Sequence, residues 1–134
     1  MQSGHVEGGL ARRTDAAVRG YYSDARSVVA LPVKISGKHY RTIWPTQAGG
    51  VGVIDQARLP FQFATVELQS LEDAAQAIRT MVVRGAPLIG ATAAYAVALA
   101  LRSDPSDAHL AEAERLLQAT RPTAHNLTWA LRRM

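Results

Sequence analysis

Arg84 and Arg121 are the residues of this chain best placed to do chemistry. Each stands just ahead of a proline that opens an apolar run, in Arg84-Gly85-Ala86-Pro87 and in Arg121-Pro122. Proline suits the first turn of a helix, where its missing N–H costs nothing. An arginine just outside such a start lies beside the positive end of the helix dipole, where a cation is disfavoured. An anion would resolve the conflict, because free backbone N–H groups and a guanidinium fork together suit a phosphate. Two such helix mouths, if they converge, make a phosphate cradle. The alternative for each arginine is a swing into solvent or a pairing with a carboxylate.

Other polar residues carry weaker signals. Asp55 follows a strand-like run and reads either as a ligand-orienting group or as a turn residue, and Gln56 and Arg58 share that ambiguity. His125 and Asn126 fall in the first turn of the last helix and are candidates for the same pocket, with the surface as the alternative for His125. Tyr95, Trp44 and Trp129 read as packing residues, Trp129 against the helical bundle. Nothing resembles a nucleophile with its base or a pair of acids for general acid–base work. The chain has no cysteine, which excludes disulfides, thiolate catalysis and cysteine–zinc sites within it. His5, His39, His109 and His125 are scattered without metal-ligand spacing.

Charge distribution bounds the partners. The net charge is +4, yet residues 1–41 hold seven Lys/Arg against three acids while residues 42–134 hold eight of each. The second part lacks the basic stripe of a nucleic-acid surface. The apolar run after Pro87 is shorter than the ~20 residues of a membrane helix and reads as a buried core helix.

The elements that must position these residues follow from pattern. A length of 134 residues suits one domain. Residues 1–38 form a poorly patterned extension, with Gly8-Gly9, Tyr21-Tyr22 and a short apolar run at 28–33. Its arginines suggest a targeting peptide, but Glu7, Asp15 and Asp24 argue against a mitochondrial one, and no apolar segment suggests secretion. From residue 39 to 134 the pattern is that of a domain. Between about 40 and 68, Arg41–Trp44, Val51–Asp55 and Phe63–Leu68 are bounded by Gly and Pro and read as a small antiparallel meander. Four helices follow between about 70 and 134. Ser70 caps the first, whose apolar stripe is Leu71, Ala74, Ala75, Ile78, Met81 and Val82. The second, from Pro87 to about Arg102, is apolar nearly all round and belongs at the centre. Ser106 caps the third, with Leu110, Ala113 and Leu117 inward. The fourth starts near Thr123, with Leu127, Ala130, Leu131 and Met134 on one face. It reaches Met134 without a stop signal, so the chain reads as cut. The fold class is α+β, mainly helical.

Four blocks in one order carry a resemblance: Arg41-Thr42-Ile43-Trp44; Ile54-Asp55-Gln56 with Leu59-Pro60; Val83-Arg84-Gly85-Ala86-Pro87 with Ile89-Gly90; and Arg121-Pro122-Thr123-Ala124 with Asn126-Leu127 and Trp129-Ala130. Over about residues 40–134 the chain resembles the N-terminal domain of S-methyl-5-thioribose-1-phosphate isomerases, the aldose–ketose isomerases of methionine salvage. More loosely it resembles the regulatory subunits of eukaryotic initiation factor 2B and ribose-1,5-bisphosphate isomerases. The resemblance implies a small sheet on a helical bundle, followed in the family by a Rossmann-like domain that this chain lacks. It implies that Arg84, Gly85, Ala86 and Arg121 bind the sugar phosphate. The family's catalytic cysteine and aspartate belong to that other domain, so this chain is expected to hold substrate without turning it over. No metal or organic cofactor is implied; a cytoplasmic homodimer is. A non-catalytic binding or regulatory module like the initiation-factor subunits, or a related ribose-1,5-bisphosphate isomerase, is the alternative. Ala96 stands where the family usually has Gly, and His125 where an aliphatic residue is common.

Overall fold

The computed structural model describes residues 33–134. The tail expected at 1–38 therefore lies, up to residue 32, outside the described residues. The chain divides after Tyr40 into two units. What is described of the first is a hairpin of strands β1 (Val33–Ile35) and β2 (Lys38–Tyr40), paired antiparallel with Lys34 opposite His39. Ser36 and Gly37 both take positive φ, 49° and 81°, the left-handed pair that lets a two-residue turn follow the twist of its strands. The expected boundary at residue 38 runs through this hairpin. Its signal was a Ser-Gly turn between two three-residue strands, too short to show a period.

The second unit opens with the meander. Strands β3 (Ile43–Pro45), β4 (Val51–Ile54) and β5 (Thr65–Leu68) form a three-stranded antiparallel sheet in that order. All four residues of β4 are buried. Val51 and Val53 enter the core, and Gly52 lies opposite Trp44. A Cβ on Gly52 would stand 2.3 Å from the indole, so glycine is what lets Trp44 lie across the central strand. Pro45 is tolerated because β3 is an edge strand.

Helices α1 (Leu71–Arg79), α2 (Ala86–Ser103), α3 (Asp107–Thr120) and α4 (His125–Leu131) complete the unit. The architecture is α+β, a small antiparallel meander with four helices. Ser70 caps α1 by accepting from Asp73 N–H at 3.1 Å, and Asp73 accepts in return from Ser70 N–H at 3.2 Å. Two otherwise orphaned donors are satisfied reciprocally. Leu71, Ala74, Ala75 and Ile78 are buried as their spacing requires. The stripe does not continue through Met81, however. Helix α1 stops at Arg79, Met81 turns to φ 62°, and Val83 N–H donates to Ala77 O at 3.1 Å. Val83 thereby plugs fully into the core while Met81 is exposed. Docking of the connection, not helical propensity, sets that boundary.

Helix α2 is the hub and packs on α1, α3, α4 and β3. It is long and apolar enough to cross a membrane by length and composition, with mean hydropathy 1.3 over 18 residues. Ile89, Thr92, Ala93, Ala96, Val97, Leu99 and Ala100 are buried against neighbours. Gly90 allows α4 to come close, since a Cβ there would lie 3.3 Å from Asn126 O. At the far end Arg102 donates to Gly49 O in the β3–β4 turn, tying helix to sheet. Ala113 and Leu117 of α3 are buried, with Leu110 packed beside them. Helix α4 buries Leu127, Ala130 and Leu131 but ends there. Met134 is exposed, against its expected place on the inner face. Trp129 is also corrected: it is 59% exposed, with the Arg133 guanidinium 5.0 Å from its ring. It sits two residues beyond Leu127, on the side of the helix turned from the core.

Candidate functional site

The site is assembled from two short connections. The first is the turn into α2. Asp55, at the end of β4, is 6% exposed. It accepts from Ala57 N–H at 3.0 Å and from Arg58 Nε at 3.1 Å. It is thus a turn residue, not a ligand-orienting one. The next residue has the larger consequence: Gln56 N–H donates to Val82 O at 3.0 Å. The Ile-Asp-Gln block braces the segment that leads into Arg84. With Val82 held by this bond and Val83 buried, the chain reverses at Gly85, whose φ of 95° is a conformation L side chains rarely adopt. Gly85 O accepts from Ile89 N–H at 3.0 Å, the first bond of α2. Pro87 has no N–H, and the first-turn donors of Ala86 and Leu88 have no intrahelical acceptor.

The second connection joins α3 to α4. Arg121 is the C-terminal cap of α3, with φ −149° and ψ 80°. The expectation that it stands outside a helix start is corrected: α4 begins at His125, capped by Ala124, and two turn residues intervene. A cation at the end of α3 is favoured by that helix's dipole, so the position of Arg121 is no electrostatic oddity. Its carbonyl accepts from Ala124 N–H at 2.9 Å, which closes the turn. Thr120 is buried and donates to Leu117 O at 2.6 Å, and Gln118 and Thr128 share hydrogen bonds at 3.0 and 3.1 Å. The Gln118–Thr128 pair ties α3 to α4, while the Thr120 bond stays within the last turn of α3.

The close approach of α2 and α4 at Gly90 brings these connections together. A cleft of about 310 Å³ is lined by Gly85, Ala86, Ile89, Arg121, Ala124, His125 and Asn126. Of the four site residues expected from sequence, Gly85, Ala86 and Arg121 meet here. Arg84 precedes Gly85 and is exposed, and its side chain is not among the lining groups. His125 and Asn126 both border the cleft. Ile89 and Ala124 supply its apolar surface; both belong to the sequence blocks that carry the resemblance, but neither was expected as a site residue. Among the described residues neither Arg84 nor Arg121 has a hydrogen-bond or ion-pair partner for its guanidinium. No carboxylate lines the cleft. The lining residues are an arginine, a histidine and an asparagine, with the Gly85–Ala86 turn and the apolar Ile89 and Ala124. Those groups recognise a small anion with an organic part attached. A second and larger depression, about 590 Å³, runs between α3 and α4 past Arg115, Gln118 and Arg132. It contains none of the residues singled out for chemistry, and its charged groups are of mixed sign. No group of potential metal ligands occurs among the described residues.

Comparison with solved structures gives the class. The chain is similar to 5-methylthioribose 1-phosphate isomerase from Pyrococcus horikoshii OT3, with a TM-score of 0.65 and 38% identity over 72% of this chain and 28% of that one. It is similar as well to translation initiation factor eIF-2B, subunit delta, from A. fulgidus, with a TM-score of 0.62 and 37% identity over 69% of this chain and 28% of that one. The fold is therefore the α+β domain shared by that isomerase and that initiation-factor subunit. Sequence narrows this further: the matched segment is homologous to methylthioribose-1-phosphate isomerases. It is 62% identical to the one from Methylobacterium nodulans over 103 residues and 64% identical to the one from Methylorubrum populi over 104. Each match covers 76% of this chain but only 28% of the relative, so the chain spans little more than a quarter of the length of these relatives. The span exceeds the 95 residues from Tyr40 to Met134 and so reaches upstream into the hairpin. No protein-family profile matches the chain.

Proposed function

We propose that this chain supplies the phosphate-holding part of a methylthioribose-1-phosphate isomerase. The full enzyme would interconvert S-methyl-5-thioribose 1-phosphate and S-methyl-5-thioribulose 1-phosphate, an aldose–ketose step of methionine salvage. The observation that carries the reading is the cleft, where Arg121 meets the Gly85–Ala86 backbone with no competing carboxylate. Arg84, next to Gly85 and unpaired among the described residues, reaches over the ligand from the rim when the phosphate arrives. Phosphate on the anomeric oxygen blocks spontaneous opening of the sugar ring, so the reaction needs a general acid as well as a fixed phosphate. This chain fixes the phosphate and shields it from water. It has no cysteine and no acid–base pair in the cleft, and the reading leaves the isomerisation step to residues outside it. The reading also makes the full-length enzyme a cytoplasmic homodimer without a metal or organic cofactor.

The test is a titration of the 134-residue chain with S-methyl-5-thioribose 1-phosphate, followed by amide chemical shifts. Saturable shifts are expected at Gly85, Ala86, His125 and Asn126. Arg121→Ala is expected to weaken binding about tenfold or more, the value of a charge-assisted fork on an anion. Equal binding by wild type and Arg121→Ala overturns the site. Ketose formed by this chain alone overturns the division of labour.

A further inference from the structure

We propose that Asp55 is a positioning residue of the cleft. Its buried carboxylate shapes the turn that aims Gln56 N–H at Val82 O, and so sets where Arg84 and Gly85 stand. This role presupposes the phosphate site proposed above, and Asp55 exerts it through the backbone without touching the ligand.

The carboxylate divides its two oxygens. Oδ1 accepts from Ala57 N–H at 3.0 Å, two residues on, the bond of an Asx turn. Oδ2 accepts from Arg58 Nε at 3.1 Å. On its other side, Asp55 N–H donates to Ala64 O at 2.9 Å and extends the β4–β5 pairing by one bond. The peptide group between Asp55 and Gln56 is thus fixed from both sides, and its N–H meets Val82 O at 3.0 Å. The receiving end is a single peptide group as well. Val82 O and Val83 N–H share one peptide plane, and Val83 N–H donates to Ala77 O at 3.1 Å. That plane is held between the sheet and α1.

Two residues later the chain is held again, where Gly85 O accepts from Ile89 N–H at 3.0 Å. Arg84 lies between these anchors, and its backbone makes no hydrogen bond to another described residue. Releasing the first anchor leaves the turn held from α2 alone. Where groups must meet a reactant in fixed geometry, a shift of about 1 Å from a distant change can cost on the order of a hundredfold. Aspartate suits the task because its charge makes it a strong acceptor for a backbone N–H. Asparagine keeps an oxygen for Ala57 but sets an amide N–H against Arg58, whose side chain is 57% exposed and free to turn into water. Glutamate keeps the charge and moves it by one methylene.

The 134-residue chain is titrated with S-methyl-5-thioribose 1-phosphate, with amide signals followed by NMR. Asp55→Ala and Asp55→Glu are expected to weaken binding about tenfold and to shift the Val83, Arg84 and Gly85 amides before ligand is added. Asp55→Asn, which keeps the Ala57 bond, is expected within about twofold of wild type, because the pairing it loses is a solvent-exposed one. Val97→Ala opens a cavity in the far half of α2, so it costs stability and leaves affinity unchanged. In wild type, saturating ligand slows exchange of the Gln56 and Val83 amides, since a brace that favours the ligand is favoured by it to the same degree. That measurement holds whichever variants fold. Unchanged affinity in Asp55→Ala and Asp55→Glu, an Asp55→Asn as weak as Asp55→Ala, an equal loss in Val97→Ala, or exchange unmoved by ligand each overturns the role of Asp55. The phosphate site itself stands in those events if Arg121→Ala still weakens binding. No binding by wild type overturns both.

Discussion

Gly85 shows how a single backbone angle holds the candidate site open. An ideal Cβ built on it meets nothing within 4 Å, so a methyl group has room. The objection to any other residue is conformational: at φ 95° and ψ 133° an L side chain is strained. Gly85→Ala is therefore expected to lower unfolding free energy by about 1–3 kcal/mol in urea denaturation. A neutral result means that the turn adopts another conformation. Gly52 and Gly90 work differently, because Trp44 and Asn126 O occupy the space a side chain would need. At this scale the sequence was only partly readable. Arg84 and Arg121 stood out by type and by their neighbouring prolines. That Arg121 ends one helix and does not precede the next depends on where α4 starts, and the Pro122-Thr123 pair left that open. Asp55 read equally as ligand or turn residue until its bonds to Ala57 and Arg58 were seen.

Among the elements, the start of α3 carries a pH dependence of its own. Asp104 ends α2, and its Oδ1 accepts from Ser106 N–H at 2.9 Å; Ser106 Oγ then accepts from His109 N–H at 3.2 Å to cap α3. The backbone hydrogen bond from Ser106 is the largest of the causes that hold the Asp104 carboxyl below its ordinary value of 3.8. A carboxyl with a depressed folded-state value stabilises the fold above its unfolded value, and that contribution is lost as pH falls through the folded value. The Ser106 and His109 amides are accordingly expected to lose exchange protection below about pH 4, before the centre of α3 does. Uniform loss along α3 counts against a local cap. Helices and strands were largely legible because each buries one face against a common core: the 3.6-residue stripe of α1 and the Gly/Pro-bounded runs of the meander are consequences of that burial. Their ends were less so. Helix α1 stops at Arg79 because Val83 docks under Ala77, a contact between residues that no local period encodes.

At the scale of the whole unit from Arg41 to Met134, α2 joins sheet to bundle. Its continuous apolar composition marked it as central, and its neighbours bear this out. What the apolar pattern could not show is which faces stay uncovered: both tryptophans read as packing residues, yet only one packs. Trp44 lies across Gly52 in the sheet, while Trp129 stands in solvent beside Arg133. As the chain has only these two, it carries a built-in pair of optical reporters with opposite environments. A collisional quencher such as acrylamide is expected to remove the red-shifted half of the emission first, and Trp129→Phe to leave a single blue-shifted, weakly quenched band. That band would fall with the sheet alone, so one cuvette could time the meander's loss apart from the helices that circular dichroism follows. Equal quenching of the two indoles would mean that Trp44 does not rest on its glycine.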